Sequence, residues 1–132
     1  MSAILLDTSG YRAMRRNHPQ VVGALETADI IGVTPVVLGE LLSGFDGMNA
    51  SVNREGLREF IDAQRVRIYA LDAETPEYYA SIYDFLRKQG TPVSPNDLWI
   101  AASAMQHGLK IVTLDRDYLK IPHVRVDCFD LR

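Results

Sequence analysis

The chain has 132 residues, a length that suits one domain and suffices to bury a hydrophobic core. Hydrophobic residues make up 47% and charged residues 23%, ordinary proportions for a soluble globular protein. A formal net charge of −3 and a pI near 5.5 argue against a protein that coats nucleic acid by bulk positive charge, while leaving room for a local basic patch.

In chain order, the first element is a strand, "AILLD" (3–7), rich in Ile and Leu. The opening "MSAILLDTSG" lacks the basic start and long apolar stretch of a signal peptide, so export is not expected and a cytoplasmic location is. Helical patterns follow over 9–17 and 19–28, broken near Pro19, then a strand "IIGVT" (30–34) and a helix from Pro35 to Gly44. A helix over 52–64, a strand "RIYAL" (67–71) and a longer helix over Pro76–Lys88 come next. In that longer helix Tyr79, Ile82, Tyr83 and Leu86 fall at helical spacing, which reads as packing. The segment "PVSPNDLWIAASAMQHG" (92–108) is a buried helix that ends at Gly108, a common helix stop. Strands "KIVTL" (110–114) and "VRVDC" (124–128) close the series, the last carrying Cys128, a lone cysteine that suits a reducing compartment.

No apolar run approaches the roughly 20 residues of a membrane helix, and no repeat or linker divides the chain, so residues 1–132 read as a single domain. Strands separated by helices predict an α/β fold, a mostly parallel sheet of about five strands covered on both faces. Ligands of such sheets bind beyond the carboxyl ends of the strands.

Four acids are expected at that edge. Asp7 ends the first strand, although helix capping alone also accounts for it. Glu40 lies about one turn into the helix after strand 30–34, and marking the exposed side of that helix is the alternative reading. Asp97 opens the buried helix. About 12 residues of helix descend roughly 18 Å, and strand 110–114 climbs back about 16 Å, so Asp115 should emerge close to Asp97. Four carboxylates crowded together repel one another unless a cation neutralises them, and hard oxygen ligands suit Mg²⁺ or Mn²⁺. Zinc does not fit, because Cys128, His18, His107 and His123 show no ligand spacing. There is neither a GxGxxG nor a Walker loop.

At "LLDTS", "GELLSG", "NDLWIAASA" and "GLKIVTLDRDY" the sequence resembles the PIN-domain ribonucleases, and among them the compact VapC-type toxins of toxin–antitoxin pairs. The likeness covers essentially the whole chain. It implies a three-layer α/β/α fold and a metal-dependent endoribonuclease with Asp7, Glu40, Asp97 and Asp115 as metal-binding and catalytic acids. Ser9 and Thr113 match hydroxyl positions near the site, Asn96 is placed to orient Asp97, and Asp117 stands as a supporting residue or a cap for the turn 117–120. The resemblance further implies cleavage of transfer or other structured RNA, a homodimer, and a VapB-like antitoxin whose Arg or Lys blocks the acids.

Arg12, Arg15 and Arg16, on the helix after Asp7, and Arg116, beside Asp115, are candidates for RNA phosphates, or are simply solvated. Tyr11 and Trp99 are candidates for base stacking, with packing the other reading for Trp99. Two further readings stay open: a noncatalytic binding module that keeps its acids for folding, and phosphoacceptor chemistry at Asp7. "DTS" departs from the D-x-D of aspartate-nucleophile phosphatases, which counts against the second.

Overall fold

Short strands too apolar to leave in water must bury both faces, and a parallel sheet wrapped in helices does so. The computed structural model describes residues 2–131. Among them the strands are β1 (Ala3–Leu6), β2 (Ile30–Val33), β3 (Val66–Ile68), β4 (Lys110–Thr113) and β5 (Val126–Cys128). They form one sheet in the order β3-β2-β1-β4-β5, and every neighbouring pair is parallel. The helices among the described residues are α1 (Thr8–Arg15), α2 (Pro19–Glu26), α3 (Pro35–Gly44), α4 (Ala50–Asp62), α5 (Thr75–Gln89) and α6 (Pro95–His107). The α/β class read from the sequence is the class adopted. None of these helices is long and apolar enough to cross a membrane.

Successive residues of a strand face opposite sides of the sheet. Leu5, Leu6, Ile111 and Val112 all have 0% exposure, so both faces of β1 and β4 are covered. The two edge strands are shorter than expected, three residues each in place of 67–71 and 124–128. Each has one neighbour only, so half its backbone groups gain nothing from further extension. At the end of β3 the Tyr69 amide still donates to the Val33 carbonyl at 2.9 Å. Its ring then lies over Gly32, where a Cβ would sit 2.8 Å from a ring carbon, and against His107.

The connections decide where a site forms. From β1 the chain steps outward to β2 and β3, then returns past β1 to β4 and on to β5. The direction of winding reverses between β1 and β4, and ligands of open parallel sheets bind at the carboxyl side of such a point. The register sets Leu6 opposite Val112, so Asp7 and Thr113 emerge side by side.

Helix α1 can start this close to β4 only because residue 10 is glycine. A Cβ there would lie 2.6 Å from the Val112 carbonyl oxygen and 2.7 Å from Leu6 Cδ1. Gly10→Ala is therefore expected to cost roughly 1–3 kcal/mol of stability by overpacking, measured as a shift in the urea midpoint.

Candidate active site

Asp7 is the N-cap of α1 and is 3% exposed. Its Oδ1 accepts the Gly10 amide at 2.7 Å and the Ser9 hydroxyl at 2.9 Å, while Oδ2 accepts the Thr113 hydroxyl at 2.6 Å. Both hydroxyls also hold the end of β4. Ser9 Oγ accepts the Leu114 amide at 3.0 Å, and Thr113 Oγ1 accepts the Asp115 amide at 2.9 Å. The Asp7 carboxylate caps the helix and also stands at the carboxyl edge of the sheet, so capping does not exclude a role in a site there. Burial pushes the Asp7 carboxyl up to about 6 despite these donors, and the nearby charge of Asp97 adds to the rise.

Thr34 caps α3 and Pro35 occupies its first turn, which fixes where Glu40 lies. Glu40 Oε1 accepts the Thr8 hydroxyl at 2.6 Å, and Oε2 accepts the Asn96 amide at 3.3 Å. Asn96, expected to orient Asp97, orients Glu40 instead. Adjacent helical residues point about 100° apart, so Asn96 turns toward α3 while Asp97 turns toward β4. Thr8 had no marker in the sequence beyond its place in "DTS".

The charge at the mouth of α6 is not needed to start that helix. Ser94 is the N-cap, its hydroxyl accepting the Asp97 amide at 3.3 Å. The Asp97 carboxylate is left to face the sheet edge, where Tyr118 donates to its Oδ1 at 3.0 Å. Partial burial raises the Asp97 pKa, the Tyr118 hydrogen bond opposes that rise, and the charges of Asp115 and Glu40 reinforce it. Asp115 caps a 3-10 turn (Arg116–Lys120), accepting the Asp117 amide at 2.9 Å. The cap considered for Asp117 therefore belongs to Asp115, which directly precedes the turn. Asp117 joins the acids, and its Oδ1 pairs with Lys120 Nζ at 2.9 Å.

Asp97, Asp115 and Asp117 each bring a carboxylate oxygen within 4.8 Å of the other two. Mg²⁺ binds oxygens at about 2.1 Å, which puts opposite ligands about 4.2 Å apart. Three carboxylates at this spacing, with no nitrogen or sulfur donor in the group, match a small hard cation. Asp7 and Glu40 stand outside the trio, close enough for their charges to act on Asp97. Among the described residues no Lys or Arg lies within 4.0 Å of Asp7, Glu40, Asp97 or Asp115. His18 holds structure, not metal: Nδ1 caps α2 through the Val21 amide and Nε2 donates to the Asp130 carbonyl at 2.6 Å.

The sequence profile of the PIN domain matches residues 4–124. The chain belongs to the PIN-domain family. It is 39% identical to Ribonuclease VapC4 of Mycobacterium tuberculosis over 98 residues, 72% of this chain and 74% of that protein. It is 28% identical to the tRNA(fMet)-specific endonuclease VapC of Salmonella typhimurium, over 96% of this chain and 98% of the other. In three dimensions it resembles VapBC2 of Rickettsia felis bound to a promoter DNA fragment, with a TM-score of 0.83 and 25% identity. That match covers 96% of this chain and 98% of the other.

Tyr118 was the residue of this PIN domain that sequence reasoning passed over. It is fully buried, and burial together with the charges of Asp7, Asp97 and Asp115 keeps its proton on. The one available signal was an aromatic three residues after Asp115. Tyr11 is not free to stack on a base, since it is 3% exposed and edge-on to Phe60 at 5.2 Å. Helix α1 turns that face into the interlayer space. Trp99 packs on Tyr79 at 4.2 Å, as its apolar helix suggests. Of the other residues expected to pack on α5, Ile82 and Leu86 are buried, while Tyr83 stacks on Tyr79 at 6.4 Å and keeps 50% of its surface exposed.

The exposed Arg12, Arg15 and Arg16 line a recess of about 310 Å³ with Tyr11, Leu41, Phe45 and Asn53. At 1.5 Å per residue α1 carries Arg15 and Arg16 roughly 12 Å away from the rim that Asp7 marks. Arg116 is exposed at the start of the 3-10 turn, directly beside Asp115.

Proposed function

We propose that this PIN-domain protein is a divalent-metal-dependent endoribonuclease, the toxin of a toxin–antitoxin pair. The observation that carries the reading is the trio Asp97, Asp115 and Asp117 at the reversal of winding, with Asp7 behind it and, among the described residues, no Lys or Arg paired with Asp7, Glu40, Asp97 or Asp115. Asp7, Asp97 and Asp115 are the principal ligands in this reading, and Asp117 is within reach as another. A bound Mg²⁺ or Mn²⁺ would supply positive charge to the scissile phosphate and acidify the attacking water.

The protein's own side chains do the rest. Ser9 and Thr113 hold the Asp7 carboxylate, and through the Leu114 and Asp115 amides they fix the end of β4 against α1. Thr8 and Asn96 orient Glu40 within reach of the same space, a geometry suited to accepting the proton of the attacking water. Arg116, and Arg12 more remotely, offer charge for flanking phosphates, with Arg15 and Arg16 farther along the helix. Products with a 5′-phosphate and a 3′-hydroxyl follow from the family resemblance.

The transfer-RNA nuclease among the relatives supports transfer RNA as the substrate. The VapBC2 structure it resembles supports a VapB-like antitoxin as its partner; a homodimer, a cytoplasmic location and residues 1–132 acting as one PIN unit belong to the same reading on the family resemblance. The test is cleavage of transfer RNA by the purified chain, freed of partner, with Mn²⁺ and with chelator. Cleavage in Mn²⁺ that disappears in chelator is expected. Equal traces in both would replace the enzyme with a noncatalytic binding module.

A further inference from the structure

Resting on the metal reading above, we propose that Tyr118 is a positioning residue whose hydroxyl holds the Asp97 carboxylate in place for the cation.

The need arises from topology. Asp97 rides on α6, while Asp115 and Asp117 ride on the 3-10 turn after β4. Three negative groups with oxygens inside 4.8 Å repel one another, so each must be held or it will swing into solvent. Asp115 is held by the Asp117 amide, and Asp117 by Lys120. Tyr118 donates to the Asp97 carboxylate at 3.0 Å from the side of β4, while Ser94, at the start of α6 itself, is the other side chain that favours its charged form.

Tyr118 is built to hold still. In a 3-10 turn the side chains at i and i+3 eclipse, so the residue three after Asp115 shares its side of the turn. The ring is 0% exposed, and with two torsions locked by packing the hydroxyl has one place to point. Phenylalanine would fill the same volume, so packing does not call for the oxygen, which has to find a partner once buried. That partner is Oδ1, leaving Oδ2 and the second lone pair of Oδ1 for a ligand. One turn thus supplies two acids directly and orients the third from behind.

The test is Tyr118→Phe in the purified full chain, reading Mn²⁺ affinity from the electron paramagnetic resonance of the free ion. About tenfold weaker binding is expected, as for other residues that orient metal ligands, with the melting temperature held close to that of the unsubstituted protein. Ile121→Val, a buried truncation just after the turn, is the control: it should lower the melting temperature and leave the affinity unchanged. An affinity for Tyr118→Phe within about threefold of the original, against the tenfold expected of an orienting group, would overturn the proposal. So would an equal loss in Ile121→Val. Failure of the unsubstituted protein to bind Mn²⁺ would overturn the metal reading and this proposal together.

Discussion

Asp97→Asn is expected to lower metal-dependent RNA cleavage about a thousandfold or more, since several kcal/mol of transition-state stabilisation depend on the cation and each 1.4 kcal/mol is tenfold. The fold should survive. Asparagine has the same size, its side-chain oxygen can still accept from Tyr118, and the Ser94 cap acts on the residue 97 amide, which is unchanged. What disappears is one negative charge from the trio of Asp97, Asp115 and Asp117. Cleavage rates over a Mn²⁺ series, beside melting curves, give the answer. Undiminished cleavage would remove Asp97 from the catalytic assignment.

Asp7→Asn should separate stability from activity in the opposite sense. In the metal-free protein the Asp7 carboxyl is pushed up to about 6 from an ordinary 3.8. A folded-state pKa above the unfolded value means the folded chain binds the proton more tightly. The stability Asp7 contributes is therefore full below about 4 and lost as pH rises through about 6. At neutral pH the burial of this charge costs on the order of 3 kcal/mol.

Asparagine removes that charge and keeps the cap, being as good an N-cap as aspartate. In chelator at pH 7 the Asp7→Asn protein should melt several degrees higher than the original, given a few degrees per kcal/mol at this size. The gap should close as pH falls toward 4, and Mn²⁺ should raise the melting temperature of the original more than that of the variant. RNA cleavage by the variant should fall steeply. A lower melting temperature for Asp7→Asn in chelator at pH 7 would contradict the account of Asp7 as a strained, buried charge. The site would then resemble an ordinary structural cap.

Much of this could be read along the chain, because each signal was local. Strands rich in Ile, Val and Leu separated by amphipathic helices admit few arrangements other than a covered parallel sheet. In that arrangement an acid directly after a strand must surface at the carboxyl edge. Asp7 and Asp115 follow β1 and β4 in this way. Asp97 meets Asp115 in one group because α6 runs away from the rim and β4 runs back to it. Hydroxyls at Ser9 and Thr113 were flagged by motif, and both contact Asp7.

What escaped were facts that depend on direction rather than position. Asn96 turns to Glu40, Tyr11 into the interlayer space and Tyr83 half out to solvent, because the side a helix residue faces is set by how neighbouring helices pack. The short edge strands escaped too, since propensity does not reveal which strand lacks a second neighbour.

The amino-acid order alone determined the element types, the parallel sheet and the edge at which the acids gather, because hydrophobic period and strand-to-helix alternation are properties of neighbouring residues. Only the tertiary structure decided which acids form the tight trio, that Asp117 is among them, and that a buried phenol stands behind Asp97. Those outcomes turn on ångström-scale approach between segments some 20 residues apart in the chain, and the β4 register and the 3-10 turn set that approach.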